Sequence, residues 1–332
     1  MSITGIVFSR DRAMQLDATL QSFFLHCRDA NHTKIWVLYK TTDMHHEKQY
    51  QELKQEYAGQ VLFKKEQEFR KDLLFLLMLN KKNGFTTNIL SWISVLGGIH
   101  WSLGKVGYRF WRRAVNRFLV QLSGIFLGQN LKNKYVFFLV DDNIFVKEFC
   151  LKDATNILEK KERLLGFSLR LGKNTTYCYP QRRRQLLPAF DNLSNNLYCF
   201  NWTKADGDFG YPVEVSSSLY RLSDVLPLLI GFPFNNPNEL ESQMAYNGRF
   251  FYKKRPSLAC YQHSTTFCNP LNLVQSIIPN RASENVNYSV NDLAVRFERG
   301  ERIHIKSYKG FIPQACHQEV ELKFTKGKEP AL

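Results

Sequence analysis

Acidic residues are missing from a long stretch of this chain. Of its 332 residues, 45 are Lys or Arg and 30 are Asp or Glu, which gives a formal net charge of +15. Residues 73–140 contain no Asp or Glu at all, although Lys and Arg recur throughout them. The positive residues of this stretch are Lys81, Lys82, Lys105, Arg109, Arg112, Arg113, Arg117, Lys132 and Lys134. An unopposed field of this sign attracts anionic membranes, nucleic acids or phosphorylated substrates.

Regular cysteine spacing is also absent. The seven cysteines are irregularly placed and include no CxxC pair, which argues against a zinc module or a disulfide framework. We therefore expect reduced thiols in a cytoplasmic protein. The amino terminus lacks a basic segment followed by a long apolar run, so we expect it to form a first strand and not a signal peptide.

The apolar run at residues 135–140 is the most informative segment that is present. It leads directly into Asp141, Asp142 and Asn143. Such a run is typical of a central strand that is buried on both faces. Because carboxylates are costly in a core, the acidic end is expected to face a cleft. Closely spaced oxygen ligands suit Mn²⁺ or Mg²⁺, which would bridge to a phosphate. The alternative is an ordinary turn at the end of a strand, where Asp and Asn are common.

Strand patterns alternate with helix patterns along most of the chain. This alternation predicts an α/β fold with a mainly parallel, Rossmann-like central sheet flanked by helices. Ligands on such sheets bind at the carboxyl ends of the strands. The segments 9–12 and 141–143, together with Asp43, fall at these ends. The strands are predicted at residues 5–8, 35–39, 61–63, 135–140, 164–169 and 213–221, with a helix starting at residue 237.

Residues 81–130 interrupt this alternation. Their first part, residues 88–104, is uncharged, and in the second part apolar residues recur at three- and four-residue steps with Arg residues mostly off that stripe. A basic amphipathic helix with aromatic residues on its apolar face is typical of a membrane-surface element. We therefore expect residues 85–128 to contact an anionic membrane. The alternative is a helix that packs on the protein core with a solvated basic face.

An ordered set of short motifs resembles bacterial, family-2-like glycosyltransferases of the GT-A fold. The resemblance covers nearly all of residues 1–320, leaves residues 321–332 as a tail, and excludes the basic segment at 81–130, which looks like an insertion. The motifs that carry it are Val7-Phe-Ser-Arg-Asp-Arg12, Phe69-Arg-Lys-Asp-Leu73, Phe138-Leu-Val-Asp-Asp-Asn143, Gly207-Asp-Phe-Gly-Tyr-Pro212, Asn236-Pro-Asn-Glu-Leu-Glu241, Ile278-Pro-Asn-Arg281 and Ala315-Cys-His-Gln-Glu319.

This resemblance implies transfer of a sugar from a nucleotide-sugar donor, UDP-linked, to a hydroxyl of a glycan or lipid-linked acceptor. The enzyme would act peripherally at the cytoplasmic membrane face in glycan biosynthesis. The residues implied for the nucleotide-sugar are Ser9, Arg10, Asp11, Arg12, Asp43, Arg70, Lys71 and Asp141. Those implied for the metal are Asp141, Asp142, Asn143 and His317. The usual Asp-x-Asp motif has Asn143 in its third position here, which lowers the expected metal affinity.

The chemistry of such a transfer requires a carboxylate that accepts the proton of the acceptor hydroxyl. Glu241 is our first choice for this general base, followed by Glu239 and Asp208. With such a base the acceptor attacks directly, and the anomeric configuration is inverted. The alternative for Glu239 and Glu241 is stabilisation of a helix N-terminus, which acids in a first turn also provide.

Three other functions stay open at this point. A nucleotidyltransferase or another nucleotide-sugar enzyme would use a similar sheet. A catalytically inactive paralogue that only binds nucleotide-sugars is compatible with Asn143. A nucleic-acid-binding protein is disfavoured, because the basic residues interleave with an apolar segment and no RRM, KH or zinc signature is present.

Overall fold

The structure, a computed structural model, describes residues 3–78, 134–272 and 288–327. The predicted insertion at 81–130 and the motif at 278–281 lie outside the described residues. The helices are α1 (Ala13–His26), α2 (Met44–Glu56), α3 (Phe69–Met78), α4 (Leu151–Lys160), α5 (Leu222–Gly231), α6 (Pro237–Asn247) and α7 (Val290–Glu298).

Fifteen strands occur among the described residues. In chain order they are β1 (Ile3–Arg10), β2 (Thr33–Lys40), β3 (Val61–Lys65), β4 (Tyr135–Val140), β5 (Asn143–Phe145), β6 (Leu164–Ser168), β7 (Tyr177–Cys178), β8 (Arg183–Arg184), β9 (Phe190–Ser194), β10 (Leu197–Asn201), β11 (Ser218–Arg221), β12 (Ser257–Tyr261), β13 (Thr266–Cys268), β14 (Glu301–Ile303) and β15 (Phe324–Lys326).

One large sheet organises the fold. Its nine strands follow the order β3-β2-β1-β4-β11-β6-β12-β10-β9. The pairs β2–β3, β1–β2, β1–β4 and β6–β12 are parallel, whereas β11 and β10 run against their neighbours. Seven of the nine strands therefore point the same way. The predicted α/β fold, with a mainly parallel central sheet flanked by helices, is confirmed.

The β4 strand lies in the middle of the sheet, as its apolar sequence predicts. Phe137 and Leu139 pack into the core on the α1 face, and Val136 and Phe138 pack into the core on the α3 and α5 face. This alternation is the period of a strand with two buried faces. Each fully buried phenylalanine contributes roughly 1.5–3 kcal/mol through removal of its ring from water. The strand therefore fixes where Asp141 emerges from the sheet.

One prediction about local structure needs adjustment, and another agrees with the structure. The strand predicted at 213–221 is shorter, because β11 begins only at Ser218. The preceding residues instead form an extended link that carries the buried acid Glu214. The cysteines agree with the prediction, since all seven are free thiols.

Among the described residues, no helix is both long enough and apolar enough to cross a bilayer.

Candidate active site

Polar residues from distant parts of the chain converge at one edge of the large sheet. The segment 9–12 spans the end of β1 and the turn after it, the segment 141–143 follows β4, and Arg170 lies shortly after β6. Because β11 is antiparallel to β4 and β6, its amino-terminal end reaches the same edge and brings Glu214 and Ser216 there. This is the carboxyl edge where open α/β sheets bind ligands.

Asp141 is the centre of the first group of contacts. Its Oδ2 atom accepts hydrogen bonds from Ser9 Oγ at 2.9 Å and from the backbone N–H of Arg10 at 3.2 Å. Its Oδ1 atom accepts a hydrogen bond from Arg12 at 3.1 Å. Ser9 Oγ also lies 2.5 Å from the hydroxyl of Tyr50, on α2. The paired aspartates and the arginine-bearing turn therefore share one site, as the sequence indicated, and they touch directly.

Arg12 lies between the two aspartates. One of its guanidinium nitrogens is 3.1 Å from Asp141 and 3.9 Å from Asp142, and the other donates to the carbonyl of Asn272. Burial alone would lower the pKa of Arg12, but the two carboxylates outweigh it and raise that pKa. Arg12 is therefore a fixed positive charge at the edge of the sheet.

The turn itself is held by Asp11. This residue has a φ of +53°, a left-handed conformation that Asp tolerates better than most residues. Its Oδ1 atom accepts a hydrogen bond at 2.8 Å from the N–H of Thr42, which follows β2. The side chain of Arg10, by contrast, is 43% exposed and lies 3.5 Å from Asp11. Arg10 is thus a cation at this edge that an incoming anion can reach.

Asp142 is a carboxylate with unused bonding capacity. Its Oδ1 atom is buried and has no hydrogen-bond partner. Burial raises the pKa of Asp142 to about 6, with Asp141 adding to the rise and Arg12 opposing it. A buried acceptor without a partner is costly, so Asp142 is suited to receive a donor from a ligand.

Asn143 makes a different contribution from the predicted one. Its amide oxygen accepts a hydrogen bond from the N–H of Val140 at 2.9 Å. Its amide nitrogen lies 2.9 Å from the carbonyl of Ser216 and 3.3 Å from the sulfur of Cys268. With oxygen and nitrogen both engaged in the interior, the side chain has no atom facing a metal. Through these contacts, Asn143 connects the segment that carries the two aspartates to a second group of site residues.

That second group is built on a buried ion pair. Arg170 Nε lies 3.7 Å from Glu214 Oε1, and both side chains are almost completely buried. Ser216 Oγ donates to Glu214 at 2.7 Å and accepts from Arg170 at 3.1 Å. Burial opposes the charge on Arg170, but Glu214 and neighbouring acids raise its pKa well above the usual value. Neither Arg170 nor Glu214 was predicted as a site residue.

Glu241 faces this ion pair from the first turns of α6. Burial raises its pKa to about 7, Glu214 adds to the rise, and Arg170 and a hydrogen bond from Tyr211 oppose it. A carboxyl group with this pKa exchanges its proton near neutral pH, which suits a general base.

Asp208 is a second buried acid in this group. Burial raises its pKa, while Arg170 and Gln185 oppose the rise. The N–H of Asp208 donates to Gln185 Oε1 at 2.8 Å, which fixes the short turn that carries it.

Gly207, in the same turn, allows a prediction about stability. It has a φ of +56°, and an added Cβ would lie 2.2 Å from Gln185 Oε1. Gly300 has a similar φ of +76° but open space where a Cβ would be. We expect Gly300→Ala to cost about 1–2 kcal/mol through backbone strain alone. Gly207→Ala should cost roughly 1–3 kcal/mol more, because the methyl group overpacks the contact with Gln185.

Urea unfolding of the two glycine variants measures this difference. Equal losses of unfolding free energy would show that Gln185 moves aside freely and does not fix the turn of Asp208.

His317 lines a cleft of about 230 Å³ together with Tyr177, Tyr179, Gln314 and neighbouring residues. Burial and Arg170 lower its pKa to about 3, so the ring is neutral. Its Nδ1 atom is buried without a hydrogen-bond partner. The backbone at His317 pairs with Cys268, whose neighbour Asn269 donates to the carbonyl of Asp142 at 2.9 Å. This places the carboxyl-terminal motif beside the aspartate group.

The predicted metal ligands do not assemble into a metal site. In residues 3–78, 134–272 and 288–327, no three His, Cys, Asp or Glu side chains are grouped so that they could hold an ion. Asp141 is engaged by Ser9 and Arg12, and Asn143 is engaged in the interior. Asp142 and His317 keep an unpartnered atom each. This arrangement does not fit Mn²⁺ or Mg²⁺ coordination by the predicted set.

Four predicted residues make structural contacts elsewhere. Glu239 accepts hydrogen bonds from Asn235 and Asn236 on its two carboxylate oxygens, which is the capping alternative considered for it. Asp43 caps α2 by accepting from the N–H of His46 at 2.9 Å. Arg70 donates to carbonyls at the end of α5, and Lys71 is exposed and paired with Glu68. None of these contacts connects to the group around Asp141 or to the group around Arg170.

Sequence signals for the missed residues are faint. Glu214 is an acid between two valines, and Arg170 follows Leu169 and the fully buried strand β6. Both break an apolar pattern next to the sheet, which is a weak indication of a buried charge. Their pairing is invisible in the sequence because 43 residues lie between Arg170 and Glu214 and no periodicity links them.

Comparison with known proteins gives one relative in sequence. The chain is 27% identical over 202 residues to the bifunctional glycosyltransferase pgtA of Dictyostelium discoideum. The match includes 54% of this chain but only 26% of the relative, so the chain spans about a quarter of the length of the curated protein it matches. No family model matches the chain.

Several solved structures are similar at a distance. Staphylococcus aureus TarS superposes with a TM-score of 0.45 and 12% identity, over 81% of this chain and 36% of TarS. TarS 1–349 in complex with UDP-GlcNAc superposes with a TM-score of 0.41 and 14% identity, over 90% of this chain and 65% of that chain. Mouse xyloside xylosyltransferase 1 superposes with a TM-score of 0.32 and 8% identity, over 75% of this chain and 82% of that protein. At these TM-scores the likeness does not extend to individual site residues.

Proposed function

We propose that this chain is a glycosyltransferase that moves a sugar from a UDP-linked donor to an acceptor hydroxyl. The observation that carries the proposal lies at the carboxyl edge of the sheet. There the Ser9–Arg12 turn and the Asp141–Asp142 tip are accompanied by a half-buried carboxyl group, Glu241, whose pKa is about 7. The sequence relationship to a glycosyltransferase supports the same reaction class.

The donor side is assigned to the turn after β1. A nucleotide-sugar carries a diphosphate, whose charge increases when the sugar leaves. Arg10 is exposed at this turn, and Arg12 is held in place by Asp141. Fixed positive charges aimed at a leaving diphosphate stabilise the transition state without reorganisation. The free oxygen of Asp142 is a suitable acceptor for a hydroxyl of the donor.

The acceptor side is assigned to Glu241. The acceptor oxygen attacks the anomeric carbon and forms the new glycosidic bond, while the bond from that carbon to the diphosphate oxygen breaks. The acceptor proton passes to Glu241, and the nucleoside diphosphate leaves with the bonding electron pair. One direct displacement of this kind inverts the anomeric configuration. The Arg170–Glu214 pair and Tyr211 set the electrostatic environment of Glu241.

A divalent ion is part of the function predicted from the sequence, and it would supply positive charge to the leaving diphosphate. Asp141 and Asn143 are engaged within the protein in a way that does not fit that ion, so the proposed reaction uses no step that depends on it. Arg10 and Arg12 provide the positive charge instead.

The proposed acceptor is a glycan or a lipid-linked molecule at the cytoplasmic face of a membrane. This part rests on the basic, aromatic composition of residues 81–130. The proposal does not include nucleic acid as a partner.

A donor screen tests the proposal. Thermal shift and donor hydrolysis are measured across nucleotide-sugars, with Mn²⁺ and with EDTA. We expect a UDP-sugar to bind, and binding to survive EDTA, because the predicted ligand atoms are engaged within the protein. Arg10→Ala should weaken binding about tenfold, since one charge-assisted contact is lost. Arg28→Ala, at another exposed arginine, should leave it unchanged.

Two outcomes would contradict parts of this proposal. If no nucleotide or nucleotide-sugar binds, the assigned function is wrong. If a donor binds but neither hydrolysis nor transfer occurs with any acceptor, the chain is a binding paralogue without catalytic activity.

A further inference from the structure

A second surface of the molecule combines exposed aromatic rings with basic side chains. Tyr246, at the end of α6, is 58% exposed, and Phe250 and Tyr252, in the turns that follow, are 50% and 52% exposed. Arg249, Lys253 and Lys254 are exposed beside them. We refer to Tyr246, Arg249, Phe250, Tyr252, Lys253 and Lys254 as the basic aromatic patch.

The charge of this patch is not opposed by acids in its own segment. Residues 242–283 contain no Asp or Glu. The neighbouring Arg255 is not part of the patch, because it is buried and bonded to Asp224, with Nε 2.8 Å from Oδ2. The patch therefore presents positive charge only.

The patch is rigidly mounted on the protein. Phe251, between the exposed rings, is buried in the core. The ring of Tyr252 packs edge-on against Trp202, with ring centroids 4.9 Å apart, and the indole N–H of Trp202 donates to the carbonyl of Arg255 at 2.7 Å. Arg249 lies over the rings of Tyr246 and Phe250, at 5.2 Å and 5.8 Å. The exposed rings are thus held in position before any partner arrives.

The patch shares α6 with the residue assigned to the acceptor side. Tyr246 and Glu241 share α6 and are five residues apart. At 1.5 Å per residue, that separation is about 7.5 Å along the helix axis. The same five-residue step turns the two side chains by about 140° around the axis, so the patch and Glu241 lie on different faces of α6.

We propose that the basic aromatic patch docks this protein on an anionic lipid surface. Aromatic side chains are favoured at the boundary between lipid headgroups and hydrocarbon, where their rings leave water. Lys and Arg beside them are attracted to the negative surface potential of anionic lipids. Protein–protein interfaces also favour aromatic rings and Arg, but they are depleted in Lys, which the patch carries at two adjacent exposed positions, Lys253 and Lys254. The inference is independent of residues 81–130 and does not depend on the proposed transfer reaction.

Vesicle sedimentation of the full chain tests the docking. Vesicles of phosphatidylglycerol and vesicles of phosphatidylcholine are compared, and binding is expected only to the former. Each basic residue near an anionic surface contributes roughly a fivefold factor in affinity, so Lys253→Gln with Lys254→Gln should weaken binding about 25-fold. Phe250→Ser should weaken it further, because its ring no longer enters the lipid boundary.

Matched controls come from another exposed pair and another exposed apolar residue. Lys160→Gln with Lys161→Gln removes the same charge on a surface flanked by Glu159 and Glu162, and Ile312→Ser removes a side chain that is 58% exposed. Both should leave vesicle binding unchanged. Donor binding should be the same in patch variants and wild type, which separates this inference from the proposed reaction.

Three results would overturn the inference. They are failure of the wild-type chain to bind phosphatidylglycerol vesicles, equal binding by patch variants and wild type, and an equal loss in the control variants. A patch variant that keeps vesicle binding but loses capture by an acidic protein would assign the surface to that protein.

Discussion

Replacing Glu241 by glutamine is expected to lower the transfer rate about 10²- to 10⁴-fold, which is the usual contribution of a general base. The amide is nearly isosteric with the carboxylate but cannot accept the acceptor proton. Donor binding should be retained, because the turn after β1 is unchanged. Turnover of the purified variant under saturating donor is the measurement.

Glu239→Gln is the matched control for this variant. Glu239 lies two residues earlier in α6 and accepts capping hydrogen bonds from Asn235 and Asn236. Glutamine preserves much of a capping arrangement, so activity should stay near the wild-type value. If Glu239→Gln is inactive and Glu241→Gln is active, the proton acceptor is Glu239 and our assignment is reversed.

The pKa of Glu241 also predicts opposite effects of pH on activity and stability. Its pKa is about 7 in the folded chain and 4.5 for an ordinary glutamate. Activity should rise with pH through about 7, as the base loses its proton. The folded state holds that proton more tightly, so the contribution of Glu241 to stability is fully present below about pH 4.5 and is lost as pH rises through about 7.

Glu241→Gln should therefore be more stable than wild type above pH 7, by on the order of 3 kcal/mol. Urea unfolding at pH 5 and pH 8 measures the difference. A variant that is inactive and also less stable at pH 8 would show that the half-buried carboxylate serves the fold and not the reaction.

Replacing Arg170 by methionine is expected to destabilise the fold by about 3–5 kcal/mol, because it leaves Glu214 buried without its cation. Adding Glu214→Gln should recover part of that loss, since the second change removes the uncompensated charge. The free energy of unfolding of both single variants and the double variant gives the coupling energy directly.

Arg183→Met is the control for Arg170→Met. Arg183 forms a bidentate pair with Asp206 at 2.6 Å, but both side chains are exposed. Exposed pairs contribute little, so this loss should be much smaller despite the shorter distances. Equal losses at positions 170 and 183 would mean that burial does not determine the importance of the Arg170–Glu214 pair.

The sequence by itself determined the sheet and the position of its acidic tip. The apolar run at 135–140 can be satisfied only by burial on both faces, and the alternation of strands with helices requires a mostly parallel sheet. Because parallel strands end at a common edge, the placement of Ser9, Arg12 and Asp141 at one edge followed from the sequence, whereas their direct contact depends on β1 lying beside β4.

Only the tertiary structure decided which polar residues are available for chemistry. Glu239 and Glu241 are equivalent in sequence, yet one caps a helix and the other is half-buried beside Arg170. Asn143 follows two aspartates like a metal ligand, but Val140, Ser216 and Cys268 engage its amide. Periodicity specifies the face on which a side chain lies, whereas its hydrogen-bond partners come from residues far away in the chain. The chemical role of each polar residue is therefore set by packing, after the fold has formed.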